Sequence, residues 1–481
     1  MYKSKLIQLL KSFSQSEFKQ LREFTASPYF NKNKNVISLL EVLRKYYPDF
    51  DNKKLESEEV FKELFPNEKY DYFKIKNISS DLLAISKEFL KISYFQKNDH
   101  LNNKFLLEQF RDRNLDKMHE QLFRSYNDTL NSDPVRDEIY FLKMSDMSKE
   151  LKSFYSPKNP NSDFELFQDQ LDNELNHFLI NALELYTTML HEIKQNNCSF
   201  DLKMFDEVMV YLEKNLNTLT PVIQMYYYIA LLLINNDQNI FFKLKDIFKN
   251  HSGSLNDYHK YMYYLHMSGF CAEMFNIYCR KDFMKEHFYL SKESFDNGTI
   301  LMGKIMYLDF LNYVKIAVRV GEFEWAENYI GQYKDFLNEE KESTLNFCYG
   351  YIEFIKGNRS KALELLSKTN FPNYIIKLQV KIIMLQIFYE EGFYDQAAAG
   401  IDSFRHFLSR EKSIKDNYKE SFSDFLKITG DLVRLRQSVH INNKKQLESE
   451  LNRLRHAADR SSQNQFGIKL WLVDMINNFK K

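Results

Sequence analysis

A phrase consisting of Gly and, five positions on, Ala occurs three times in the 481-residue sequence: Gly321-Glu-Phe-Glu-Trp-Ala326, Gly357-Asn-Arg-Ser-Lys-Ala362 and Gly392-Phe-Tyr-Asp-Gln-Ala397. The glycines lie 36 and then 35 residues apart, a period that belongs to stacked helical hairpins rather than to one globular core. Apolar residues at helical spacing precede each glycine (Phe310, Tyr313, Val314 and Ala317; Phe347, Gly350 and Phe354; Lys381 to Phe388). Others follow it (Tyr329, Ile330 and Tyr333; Leu363 and Leu366; Ile401 and Phe404). Glycine suits the left-handed position that ends a first helix, where a Cβ is strained, and alanine lets a second helix approach closely. Helix, Gly turn, helix is therefore the unit, and such a unit offers surface rather than chemistry.

These three phrases make residues 300–410 similar to tetratricopeptide repeats, whose pattern has a small residue in the first helix, Gly near the turn and Ala early in the second helix. The middle unit fits best, with Gly350, Gly357, Ala362 and Pro372. Val314 and Leu385 stand at the small position of the flanking units, Glu353 stands where an aromatic is usual, and the flanking units lack the closing Pro. The resemblance implies an all-α fold, a right-handed superhelical α-solenoid whose concave wall is built from first helices. It places Lys315, Arg319, Tyr351, Ile355, Gln386 and Glu390 on that wall as partly exposed residues. A mixed basic, aromatic and polar lining of this kind suits a peptide segment or a helix from another protein.

Glycine is scarce: 12 in the chain, the first at Gly253. The first half thus has no Gly-rich phosphate loop, no dinucleotide fingerprint and no Gly hairpin turn, which argues against mainly-β and doubly wound folds. Lys+Arg and Asp+Glu both number 66, so no global attraction to nucleic acid or an anionic membrane is expected. Cys198, Cys271, Cys279 and Cys348 form no CxxC pair and no interleaving with His at ligand spacing, so buried reduced thiols are expected and neither zinc nor disulfides. Residues 1–25 show no secretory pattern, and the longest near-apolar run, Met225 to Ile234, is about half of a membrane span. The expectation is a cytoplasmic protein without membrane association.

Four segments are predicted: a helical module at 1–98, degenerate hairpins at 99–295, the repeats at 296–410, and a hairpin with a capping helix at 411–481. In the first, Ser14-Gln-Ser-Glu17 reads as a capping box, Pro28, Pro48 and Pro66 stop helices, and Ser57 caps a short helix from Glu58 to Phe65. The run Tyr155 to Asp163, with two prolines, is the clearest loop. Farther on, Asn235-Asn-Asp237 reads as a turn within a degenerate hairpin, the Arg280-Lys-Asp282 turn, 40 residues before Gly321, looks like an older copy of the repeat unit, and Phe466 to Phe479 is suited to closing an end of the stack.

Ser57 to Lys97, with Lys74, Lys76, Lys87 and Lys91, loosely resembles the helix-turn-helix of winged-helix activators that also carry tetratricopeptide-like domains. Residues 1–98 hold 18 basic and 13 acidic side chains, a weak excess for a duplex binder. The opening segment also resembles an uncharacterised group of bacterial helical-repeat proteins, which supplies no activity. No catalytic, cofactor or metal motif stands out. His191-Glu192 lacks a second ligand, His259 and His266 read as packed or solvated, G-x-S-x-G is absent, and the pairs Glu339-Glu340 and Glu390-Glu391 read as surface charge. The functional expectation is a non-enzymatic protein-protein scaffold or adaptor. The alternative is a DNA-binding regulator with a partner-sensing solenoid.

Overall fold

The computed structural model describes residues 3–50, 55–158, 164–196, 198–298, 306–337, 339–414, 416–438, 444–460 and 464–479. Among them no strand occurs, and the regular structure is helical throughout. Two compact units divide the chain: residues 1–130 with 146–167, and residues 131–145 with 168–481.

The first unit is built from α1 (Lys5–Lys11), α2 (Gln15–Ala26), α3 (Lys34–Arg44), α4 (Ser57–Leu64), α5 (Tyr72–Lys97), α6 (Asp99–Asp112), α7 (Asp116–Ser132) and the later turns of α8 (Glu138–Tyr155). The capping box forms: Glu17 N–H donates to Ser14 Oγ at 3.2 Å, and Ser14 N–H donates to Glu17 Oε2 at 2.9 Å. Ser57, by contrast, is no cap. Helix α4 begins at Ser57 itself behind Glu56, whose side chain makes no cap bond, and Glu58 and Glu59 complement the positive helix end instead. Leu6, Leu10, Phe18, Leu21, Leu39, Leu43, Ile75 and Leu82 form one buried core among α1, α2, α3 and α5. Tyr29 is fully outside it, while Phe30 stacks on Phe24 with centroids 4.0 Å apart. The predicted loop is described only as far as Lys158; the rest of it lies outside the described residues.

The second unit continues with α9 (Phe164–Gln195), α10 (Phe205–Asn215), α11 (Pro221–Asn235), α12 (Gln238–His251), α13 (Asp257–Tyr278), α14 (Asp282–Asp296), α15 (Tyr307–Arg319), α16 (Phe323–Tyr333), α17 (Lys341–Lys356), α18 (Arg359–Ser367), α19 (Tyr374–Glu390), α20 (Tyr394–Arg410), α21 (Asp416–Ser438), α22 (Lys444–Arg460) and α23 (Ile468–Asn477). Helices pair in sequence as hairpins: α11 with α12, α13 with α14, α15 with α16, α17 with α18, α19 with α20. The apolar run of α11 is buried on nearly all sides, as its lack of a polar face requires.

The repeat turns take the expected geometry. Gly321, Gly357 and Gly392 have φ of 91°, 90° and 75°. In each turn the next residue's N–H reaches five residues back, Glu322 to Ala317, Asn358 to Glu353 and Phe393 to Phe388, at 2.8–2.9 Å. That bond satisfies a carbonyl which the helix end leaves open. Ala326, Ala362 and Ala397 are completely buried. At Gly350 a Cβ meets Leu366 Cγ at 3.0 Å, so α17 and α18 touch backbone to side chain there. The α11–α12 and α13–α14 turns use the same left-handed corner without glycine, at Asn236 (φ 51°) and Cys279 (φ 54°).

Candidate functional site

Two adjoining cavities open among the first helices of the hairpins. The smaller, about 210 Å³, is lined by Phe275 and Asn276 of α13, His287 of α14, Asn312, Lys315 and Arg319 of α15, Gln379 of α19, and Phe466. The larger, about 420 Å³, is mostly apolar, with Ile277, Tyr374, Leu378, Ile414 and Phe422 in its wall. Ala272, Asn276, Ile375 and Phe466 belong to both. Each of these first helices packs on its own second helix, α13 on α14, α15 on α16 and α19 on α20, with Ala326 of α16 and Ala397 of α20 fully buried.

Lys315 and Arg319 stand one turn apart on α15, on the same face. Lys315 Nζ donates to Gln379 Oε1 at 2.9 Å. Arg319 Nε donates to Tyr351 Oη at 2.7 Å, a second guanidinium nitrogen approaches the Phe466 carbonyl at 3.5 Å, and the group lies 5.4 Å from the Phe275 ring centre. Among the described residues neither cation has a carboxylate within 4 Å. Burial, and then the charge of Arg319, lowers the Lys315 ammonium to about 7. Burial likewise lowers His287 to about 4, with Arg319 and Lys315 adding to the effect. Asn276 Oδ1 is buried without a donor among the described residues. The arrangement is a half-buried pair of positive charges, supplied with neutral hydrogen-bonding groups and short of negative ones.

Three of the residues nominated from the sequence, Lys315, Arg319 and Tyr351, thus meet at one place. Tyr351 is buried rather than partly exposed, because its ring packs within the core around Phe347 and its hydroxyl is spent on Arg319. Gln386 is also buried. Glu390 is not plain surface charge: it takes Arg359 Nε at 2.6 Å and Trp471 Nε1 at 2.7 Å. Ile355 is exposed. Sequence reasoning missed His287, Gln379 and Phe466. Phe466 holds a left-handed backbone, φ 54°, and Asn464 N–H donates to the Asn276 carbonyl at 2.5 Å, so residues 464–466 run beside α13. The thiols divide: Cys271 and Cys348 are buried, Cys279 half-buried and Cys198 exposed.

A second set of buried polar groups lies along α8. In the first unit Asp146 Oδ2 is 3.0 Å from His100 Nε2, whose Nδ1 is 3.0 Å from Tyr126 Oη. Glu150 pairs there with Arg111 and, at 3.0 Å, with His119. In the second unit Glu138 Oε2 is 2.9 Å from His259 Nε2, whose Nδ1 is 2.9 Å from Tyr226 Oη. Burial raises Asp146, but the hydrogen bonds from His100 and Lys104 outweigh it and hold the carboxyl at about 2. On α5, Lys74 is paired with Glu68 at 2.6 Å and Lys91 with Glu88 at 2.7 Å, so two of the four lysines of the helix-turn-helix reading already have acid partners.

No protein-family model, no curated protein and no solved structure matches the chain. No helix among the described residues is long and apolar enough to cross a membrane. Fold and site together define an all-helical protein whose later hairpins enclose a basic, apolar-walled cleft.

Proposed function

We propose that this chain is a non-enzymatic scaffold or adaptor of the cytoplasm. Its hairpins stack as a right-handed tetratricopeptide-like superhelix and hold a peptide segment or a helix of another protein against the first helices. The observation that carries this reading is the cleft itself: an apolar wall and a few convergent polar groups, supplied by first helices α13, α15 and α19. Such a lining matches how grooves recognise an extended or helical segment, apolar pockets for affinity and a small number of polar contacts for register. Ile375, on the shared rim, is partly exposed and available to a partner. Four free thiols agree with a reducing compartment.

The test is photo-crosslinking in the native cell. A crosslinking residue at Ile375 is expected to capture one discrete protein, whereas the same residue at Glu364, exposed on second helix α18, captures none. Equal capture from both positions, or capture from Glu364 alone, puts the partner elsewhere.

A further inference from the structure

We infer that Lys315, Arg319 and His287 form a receptor for an oxyanion, carried by a small ligand with an apolar body and one hydrogen-bond donor. Each part of that description has its counterpart in the cleft. Two cations one turn apart, with no carboxylate partner among the described residues, leave most of their N–H groups unused there: Lys315 spends one on Gln379, and Arg319 one on Tyr351 and a longer one on Phe466. Burying like charges side by side is unfavourable unless something negative joins them. Cation pairing elsewhere in the unit shows the alternative. Lys194, at the edge of the larger cavity, is held by Glu273 at 2.6 Å.

The smaller cavity has room for a carboxylate or phosphate group, and the larger one, sharing four wall residues with it, accepts the apolar remainder. Asn276 stands at both, and its donor-less amide oxygen asks for an N–H or O–H next to the anionic head. His287 contributes a neutral ring, able to donate one further hydrogen bond without adding to the repulsion. The shared chemistry is the oxyanion, and its source is either an organic acid or a phosphate. The inference does not require the peptide-docking proposal, since it concerns the free chain and a small molecule.

The test uses the full chain in thermal melts and calorimetric titrations with inorganic phosphate, hexanoate and 2-hydroxyhexanoate, each up to about 10 mM. At least one is expected to bind and raise the melting temperature. Phosphate alone assigns the head as a phosphate; hexanoate assigns it as a carboxylate, and tighter 2-hydroxyhexanoate assigns the donor to Asn276. Lys315→Met is expected to weaken binding by about tenfold or more, the loss of one charged hydrogen-bonding partner. Gln379→Glu, which supplies an internal counter-charge to Lys315, is expected to abolish binding while the free chain melts no lower than before. The inference is overturned if none of the three probes binds the unaltered chain, or if Gln379→Glu binds as well as it does.

Discussion

Three carboxylates of α8, Glu138, Asp146 and Glu150, each hold a buried histidine at 2.9–3.0 Å, whereas the acceptors that the two cations of α15 meet among the described residues are neutral. Both regions take charge-bearing groups out of full contact with water, completely for His119 and His259 and partly for Lys315 and Arg319, and they differ in whether an opposite charge is supplied. A buried carboxylate with its donors in place is a structural joint: costly to assemble, and costlier to break, because the surviving partner is then stranded. A buried cation without an acid is a standing cost that the surrounding fold carries, and such costs concentrate where a ligand is received. The difference separates polar groups that hold this molecule together from those that await something.

The largest expected effect breaks the paired side. Glu150→Ala strands His119, which is fully buried against Phe154, leaves Arg111 with Asp112 at 3.5 Å as its remaining acid, and is expected to cost about 3 kcal/mol in urea melts. A loss below about 1 kcal/mol removes the structural reading of α8.

The next change acts on the unpaired side with the opposite sign. Lys315→Met is expected to stabilise the free chain by about 2 kcal/mol at neutral pH, since it trades a buried cation for an apolar side chain. pH separates the two regions further. Lys315 is lowered to about 7 in the folded chain, so between there and its ordinary value the unfolded chain binds the extra proton and stability rises with pH. Asp146, held at about 2, contributes stability that is complete above the ordinary carboxylate range and lost as pH falls towards 2. Lys315→Met should flatten the alkaline rise and Asp146→Asn the acid fall, each leaving the other window unchanged. The other groups facing Lys315 are Arg319 on its own helix, His287 on α14, Cys271 on α13, and Cys348 and Tyr351 on α17. His287 titrates below Lys315's window, and burial raises the two thiols out of it.

Two smaller changes probe the hairpins that present the cleft. Ala362→Leu overfills the contact between α17 and α18 and is expected to cost about 2 kcal/mol. An unchanged melting temperature would count against close helix pairing there. Gly357→Ala meets no neighbour within 4 Å, so its expected cost of about 1 kcal/mol comes from the positive φ alone. If the larger of these effects came from Gly357, the hairpin would be governed by its turn rather than by its packing.

Much of the hairpin series was legible because its signals are local. A glycine turn and an alanine five residues on are read within one stretch of chain, and Lys315, Arg319 and Tyr351 followed from repeat register, with Arg319 and Tyr351 separated by 32 residues, about one unit. The turns at Asn236 and Cys279 were only faintly legible, since a left-handed corner made without glycine carries a weak signature. The α8 joints left none: His100, His119 and His259 lie 46, 31 and 121 residues from their carboxylates.

What the amino-acid order settled alone was the unit: which stretches are helices, where they turn, and which small residues let a pair close. Only the tertiary structure decided that Gln379, 64 residues from Lys315, supplies its acceptor, that Phe466, 147 residues from Arg319, walls the cleft, and that no carboxylate among the described residues comes within 4 Å of either cation. Local rules depend on backbone dihedrals and neighbours one or two turns away. Whether a buried charge finds its opposite depends instead on which distant helices come within a few ångströms, and periodicity does not encode that distance.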